Sequence, residues 1–156
     1  MIIEAIETDG PRIEDIIARA NVFDEEEVEA LGAIWEEYII LGAEDSGYNF
    51  LVERDGDAIR GFACSGHRDL TDGVHELYYI AVDPDLRRRG TGRRLLAASE
   101  AAAHEAGARM MIVETSGTSE YEPTLEFYRG AGYRIEATIK DFYSVGDDLA
   151  VFVKRF

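Results

Sequence analysis

Apolar and polar positions follow two different periods along this chain, and the period changes from segment to segment. Residues 2–7 read as a short strand. Asp9-Gly10-Pro11 is a helix start with Pro11 near the first helical position, and Ile13, Ile16, Ile17 and Ala20 recur as one apolar stripe. Asp24 opens a second helix, with Glu27 three residues on as its capping-box partner. Its apolar positions are Val28, Ala30, Leu31, Ile34, Trp35, Tyr38 and Ile39. Residues 48–54 and 59–66 read as a hairpin around the Asp55-Gly56-Asp57 turn. A loop at 67–74 precedes the strongest strand signal, 75–82, which Pro84 ends. The spacing predicts a helix over 91–106, packing through Leu95, Leu96, Ala98, Ala102 and Ala103 and stopped by Gly107. A strand at 109–115, a short helix from Pro123 to about Gly130, and strands at 133–141 and 148–155 around a Gly146-Asp147-Asp148 turn complete the chain. Strand and helix signals alternate without linker or repeat, which predicts one α/β layered domain over residues 1–156.

Composition narrows the class. A chain of 156 residues with 46% hydrophobic content can bury a core without staples. Cys64 is the only cysteine, so neither an internal disulfide nor a multi-cysteine zinc site is available, and no metal is expected. A lone strand cysteine reads as a small buried hydrophobe. No stretch has the apolar length of a membrane span, and the first residues have no basic segment of a signal peptide. A cytoplasmic protein with no membrane partner is the expectation.

The net charge is −16, from 32 acids and 16 bases, of which only Lys140 and Lys154 are lysine. Residues 1–60 hold seventeen acids against four arginines. Nucleic acid is excluded as a partner, because phosphate binding needs a basic face. Part of the surplus has a structural reason: Glu25, Glu26 and Glu27 fall in a first helical turn, where negative charge suits the helix dipole. The remainder is either a solvated surface or a field that attracts a cationic substrate.

The basic residues concentrate in Val82-Asp83-Pro84-Asp85-Leu86-Arg87-Arg88-Arg89-Gly90-Thr91-Gly92-Arg93-Arg94. This segment runs from a strand end through a glycine-bearing loop into a helix. A helix N-terminus leaves N–H groups unpaired and carries partial positive charge, and glycines let that backbone approach a ligand. The combination is a phosphate cradle. It is not a P-loop, having no Gly-Lys-Ser/Thr. Nor is it a dinucleotide fingerprint, because Leu95 stands where the third glycine belongs.

Arg87-x-x-Gly90-x-Gly92 resembles the acetyl-CoA signature of the GCN5-related N-acetyltransferases, in their small bacterial and archaeal form. Phe127-Tyr128-Arg129-Gly130-Ala131-Gly132-Tyr133 is similar to that family's second motif, Phe-Tyr-x-x-x-Gly-Phe/Tyr. The resemblance covers nearly the whole chain. It implies a mixed, mostly antiparallel sheet of six to seven strands, helices on both faces, and a splay between the strands at 75–82 and 109–115. It implies acetyl-CoA as cosubstrate, with Arg87, Arg88, Arg89, Gly90, Thr91, Gly92 and Arg93 around the pyrophosphate. Ile80, Ala81 and Val82 would pair with the pantetheine arm. Tyr128 matches the general acid of many members. Glu76 is the first candidate for the base and Glu114 the second; His67 and His75 are outsiders with a suitable pKa but a loop position. Direct attack in a ternary complex is the family's usual route. The chain departs from the family at Tyr121, where many members have a pantetheine-binding asparagine, and at Thr124, commonly alanine.

The acceptor implied is a small amine or peptide amine. Acidity in the first two helices favours a cationic one, and Tyr48, Tyr78, Tyr79 and Tyr143 are candidate walls. Trp35 and Tyr38, on a helix stripe, read as core. A non-catalytic acyl-CoA sensor and an acyltransferase for another acyl-CoA are the alternatives. Family members dimerise through sheets or helices; a homodimer is open, since nothing in the sequence fixes the oligomeric state.

Overall fold

The strands assemble into one seven-stranded sheet in a computed structural model that describes residues 1–156. The elements are β1 (Ile2–Glu4), α1 (Gly10–Arg19), α2 (Glu25–Ser46), β2 (Tyr48–Asp55), β3 (Ala58–His67), β4 (Val74–Val82), α3 (Thr91–Glu105), β5 (Met110–Ser116), α4 (Glu122–Gly130), β6 (Arg134–Ser144) and β7 (Asp147–Arg155). The spatial order is β1-β2-β3-β4-β5-β7-β6. Every pairing is antiparallel except β4 with β5. This is the mixed, mostly antiparallel α/β architecture expected.

Strand alternation sends successive side chains to opposite faces. Phe50, Val52, Phe62 and Cys64 pack with Ile13, Ile16, Ile17, Leu31, Trp35 and Tyr38 of α1 and α2. Leu51, Ala63, Leu77, Met111, Val113 and Phe152 pack with Leu95 and Leu96 of α3 and with Leu125 and Tyr128 of α4. Trp35 and Tyr38 are core residues; Trp35 meets Phe50 edge-on and Tyr38 packs tilted against it. Cys64 is fully buried, and burial pushes its thiol up, so it is no nucleophile at neutral pH. No helix is long and apolar enough to cross a membrane.

The helix caps follow the local chemistry. Asp24 accepts from the Glu27 amide, and Glu27 accepts from the Asp24 amide, each at 2.8 Å. Ala30 departs from its predicted stripe and is exposed; the buried set is Leu31, Trp35 and Tyr38. Strand β1 is shorter than predicted and ends at Glu4. Asp9 explains this: its buried carboxylate accepts from the Ile6 amide and pairs with Arg54, turning residues 7–9 out of the sheet. The last hairpin is tighter than predicted, because Asp147 and Asp148 belong to β7. Asp141 adopts a left-handed conformation and accepts from the Gly146 amide at 2.7 Å, which closes the turn at Gly146.

Candidate active site

The parallel pair β4–β5 is hydrogen-bonded over only three residues, Val74 to Glu76 against Met110 to Ile112. Beyond Glu76 the strands part, and the β4 edge from Leu77 to Val82 faces a groove rather than a neighbour. A register irregularity sets Leu77 and Tyr79 against adjacent β3 residues, so Tyr78 is the extra residue of a bulge beside the opening. The groove encloses about 910 Å³. Ile80, Ala81 and Val82 line it from β4, and Phe127 and Tyr128 line it from α4.

One end of the groove is basic. Arg87, Arg88, Gly90, Thr91, Gly92 and Arg93 lie there, at the N-terminus of α3. Arg88 and Gly90 both have left-handed backbones, which curl the loop into a concavity. No backbone N–H from Arg88 to Arg93 donates to a carbonyl of the protein. Unpaired amides, a helix dipole and exposed guanidinium groups are the chemistry of a pyrophosphate cradle, so the residues present fit the group expected there. Arg89 is also exposed in this loop but does not line the groove, and its carbonyl accepts from Arg94. Arg87 is partly committed elsewhere, donating to the Ala20 carbonyl at 2.7 Å and so tying the loop to the end of α1.

Asp83 fixes the other side of this loop. It is buried, accepts from the Asp85 amide at 2.9 Å and pairs with Arg12 of α1. Burial alone would raise its pKa, but the Asp85 amide and Arg12 outweigh it and hold the carboxyl below its usual value. Its contribution to stability is therefore present above about pH 4, the unfolded value, and lost as pH falls through the lower folded value. We expect Asp83→Ala to cost about 2–3 kcal/mol in urea unfolding at pH 7, because Arg12 and the turn amide lose their acceptor. The deficit should shrink as the pH is lowered.

The opposite end is acidic and aromatic. Asp24, Glu27, Glu76, Glu114, Glu120 and Asp147 line it, with Phe23, Tyr78, Tyr79, Tyr121 and Tyr143. Leu77 and Val113 face α3 and α4, so Glu76 and Glu114 face the α1–α2 side by alternation. Burial raises the Glu76 carboxyl despite an opposing ion pair with Arg68. Tyr143 is pushed up to about 12, first by burial and then by Glu114, Glu27 and Asp147 nearby. Asp147 is held by Ser116 at 2.5 Å. Tyr48 does not line the groove; it stands edge-on to Tyr78 behind the wall. His67 and His75 pack against each other outside the groove lining.

Tyr128 lies between the two ends. Its ring is buried against Phe127, Tyr133 and Phe152, and its side chain lines the groove. Burial alone pushes its phenol up, so it stays protonated through the neutral range. Two residues gain roles that spacing could not assign. Tyr121 donates to the Val22 carbonyl at 2.7 Å, tying the start of α4 to the α1–α2 connection across the acidic mouth. Arg68, in the β3–β4 loop, reaches both Glu76 and Glu114.

The acetyltransferase (GNAT) family model matches residues 11–133. A structure from Desulfovibrio desulfuricans, assigned to the same family, is 32% identical, with a TM-score of 0.95 over 99% of this chain and 98% of its own. Ribosomal-protein-alanine N-acetyltransferase from Brucella melitensis is 22% identical, with a TM-score of 0.79 over 100% of this chain and 99% of its own. The protein yncA of Salmonella typhimurium, assigned as an acetyltransferase and solved with acetyl-CoA, is 20% identical, with a TM-score of 0.76 over 99% of this chain and 92% of its own. At these lower identities the likeness is one of fold. No curated protein matches by sequence.

Proposed function

Because the chain belongs to the acetyltransferase (GNAT) family, we propose that it transfers the acetyl group of acetyl-CoA to a primary amine on a small cationic molecule or peptide. The observation that carries this reading is the polarity of the groove: unpaired amides and arginines at one end, six carboxylates at the other. The basic end suits the pyrophosphate of the donor. The acidic end suits an ammonium group, and its aromatic walls add cation–π attraction.

The chemistry then follows from the residues between. Glu76, partly desolvated, takes a proton from the acceptor ammonium. The free amine adds to the thioester carbonyl. The nitrogen releases its second proton to solvent as the carbon–sulfur bond breaks, and Glu76 afterwards returns its own proton to solvent. The departing thiolate takes the proton of Tyr128, and the phenolate regains one from solvent, so the net products are amide, thiol and one proton. Glu114, nearer solvent, holds the acceptor's charge at the mouth.

The test is thiol release from acetyl-CoA against polyamines, basic amino acids, aminoglycosides and short peptides, at low and high salt. Turnover with a cationic class is expected, with kcat/KM falling as salt screens the acidic mouth. Failure to bind acetyl-CoA by calorimetry would overturn the proposal. Tight binding with no turnover on any amine would replace it with an acyl-CoA sensor.

A further inference from the structure

We propose that Arg68 is a positioning residue that sets the ionisation of the base, a role resting on the reading of Glu76 as that base. One guanidinium nitrogen, Nη1, lies 2.5 Å from Glu76 Oε2 and 3.5 Å from Glu114 Oε1. Both carboxylates line the groove, and Arg68 does not. The exposed Arg68 side chain reaches the two acids from the β3–β4 loop, outside the groove lining.

The loop that carries Arg68 is built to hold it. The Arg68 amide donates to the Val74 carbonyl at 2.8 Å, and the Thr71 hydroxyl donates to the Arg68 carbonyl at 2.6 Å. His67 meets the Thr71 carbonyl through Nε2 at 3.1 Å. The far end is tied by the Arg109 amide donating to Gly73 and the Arg109 side chain donating to Asp72, both at 2.7 Å. Leu70 and Gly73 supply the left-handed backbones the reversal needs. Arg68 thus projects from a fixed backbone one residue past β3.

The charges around Glu76 act in opposite directions. Arg68, from the loop, favours the carboxylate, and Glu114, from β5, disfavours it. Tyr78, two residues along β4, has a phenol that burial and Glu76 together hold protonated. Burial raises Glu76 most, so without the guanidinium the acid form would persist to a higher pH. His75 is neighbour to Glu76 on β4; burial and then His67 lower its pKa, so at neutral pH it adds little charge. Two carboxylates sharing one cation give the site a base whose ionised form Arg68 favours, while burial and Glu114 keep it basic enough to accept a proton.

The experiment is the pH dependence of kcat/KM for Arg68→Gln, Arg68→Lys, Glu114→Gln and Glu76→Gln, each checked by circular dichroism. Loss of an opposite charge at this range raises a carboxyl by about 1–3 units, so Arg68→Gln should move the acidic limb upward by about one unit or more. Arg68→Lys, which keeps the charge, should return the limb close to wild type. Glu114→Gln, which removes a like charge, should move it the other way. The acceptor's own ionisation is the same in all variants and cannot produce opposite shifts. An unmoved limb in Arg68→Gln, with Glu76→Gln crippled, would overturn the role of Arg68 alone. Wild-type activity in Glu76→Gln would overturn the reading of Glu76 as base, on which the inference rests.

Discussion

Tyr128→Phe is expected to lower kcat about 100-fold while leaving acetyl-CoA affinity unchanged. General acids contribute roughly 10²–10⁴-fold, and a thiolate needs less help to leave than an alkoxide, so the low end applies. The substitution is clean. The phenylalanine ring keeps the contacts with Phe127, Tyr133 and Phe152 that hold Tyr128 in the core. Burial is the sole influence on the phenol, which has no charged or hydrogen-bonding neighbour to be left unpaired by its removal. Folding stability should therefore hold. Since burial keeps the phenol protonated well above neutrality, the loss should be uniform between about pH 6 and 9. Steady-state thiol release with calorimetry on the same samples separates the two quantities. An unchanged kcat would reduce Tyr128 to a wall of the groove.

What could be read from the sequence depended on how local each signal was. The Asp24–Glu27 capping box spans four residues and forms as its spacing implies. The cradle at 87–93 is equally local: strand end, glycines and helix start are contiguous in the chain. Strand β1, by contrast, ends earlier than its pattern predicts, because the partner that pulls Asp9 away is Arg54, 45 positions on. Arg68 was invisible for the same reason. It sits in a polar loop, and only the parallel pairing of β4 and β5 brings Glu114, 46 positions away, to the same guanidinium. The tie between Tyr121 and Val22 spans 99 positions.

The acidity resolves in a similar way. Of the seventeen acids in residues 1–60, only Asp24 and Glu27 line the groove. Glu25, Glu26, Glu29, Glu36 and Glu37 are exposed on α2, which is the solvated face a charge run usually means. The mouth is acidic because Glu76, Glu114, Glu120 and Asp147 join that pair from residues 61–156, where the overall imbalance is small. Bulk charge and site charge are thus separate features, and salt sensitivity of turnover tests the second.

Gly92→Val should separate the cradle from the fold. A Cβ at Gly92 would stand 3.5 Å from Phe127 and 3.6 Å from Val82, ordinary contacts that require no movement. The backbone there is not left-handed, and position 92 is the second residue of α3. A Cβ there therefore meets no clash within the protein, and helix propensity changes by only about 0.5 kcal/mol in valine's favour. The ligand does have such a need. The side chain would stand between Phe127 and Val82, both of which line the groove, beside the unpaired amides of the cradle. Displacing a pyrophosphate from two amide donors forfeits about 1.5–3 kcal/mol for each charge-assisted hydrogen bond. CoA affinity should fall at least about 100-fold, and Gly92→Ala should fall between the two. The midpoint of urea unfolding should stay at the wild-type value in the same protein. Wild-type CoA affinity in Gly92→Val would remove the α3 N-terminus from the binding site, and a collapse of stability would make Gly92 a folding residue.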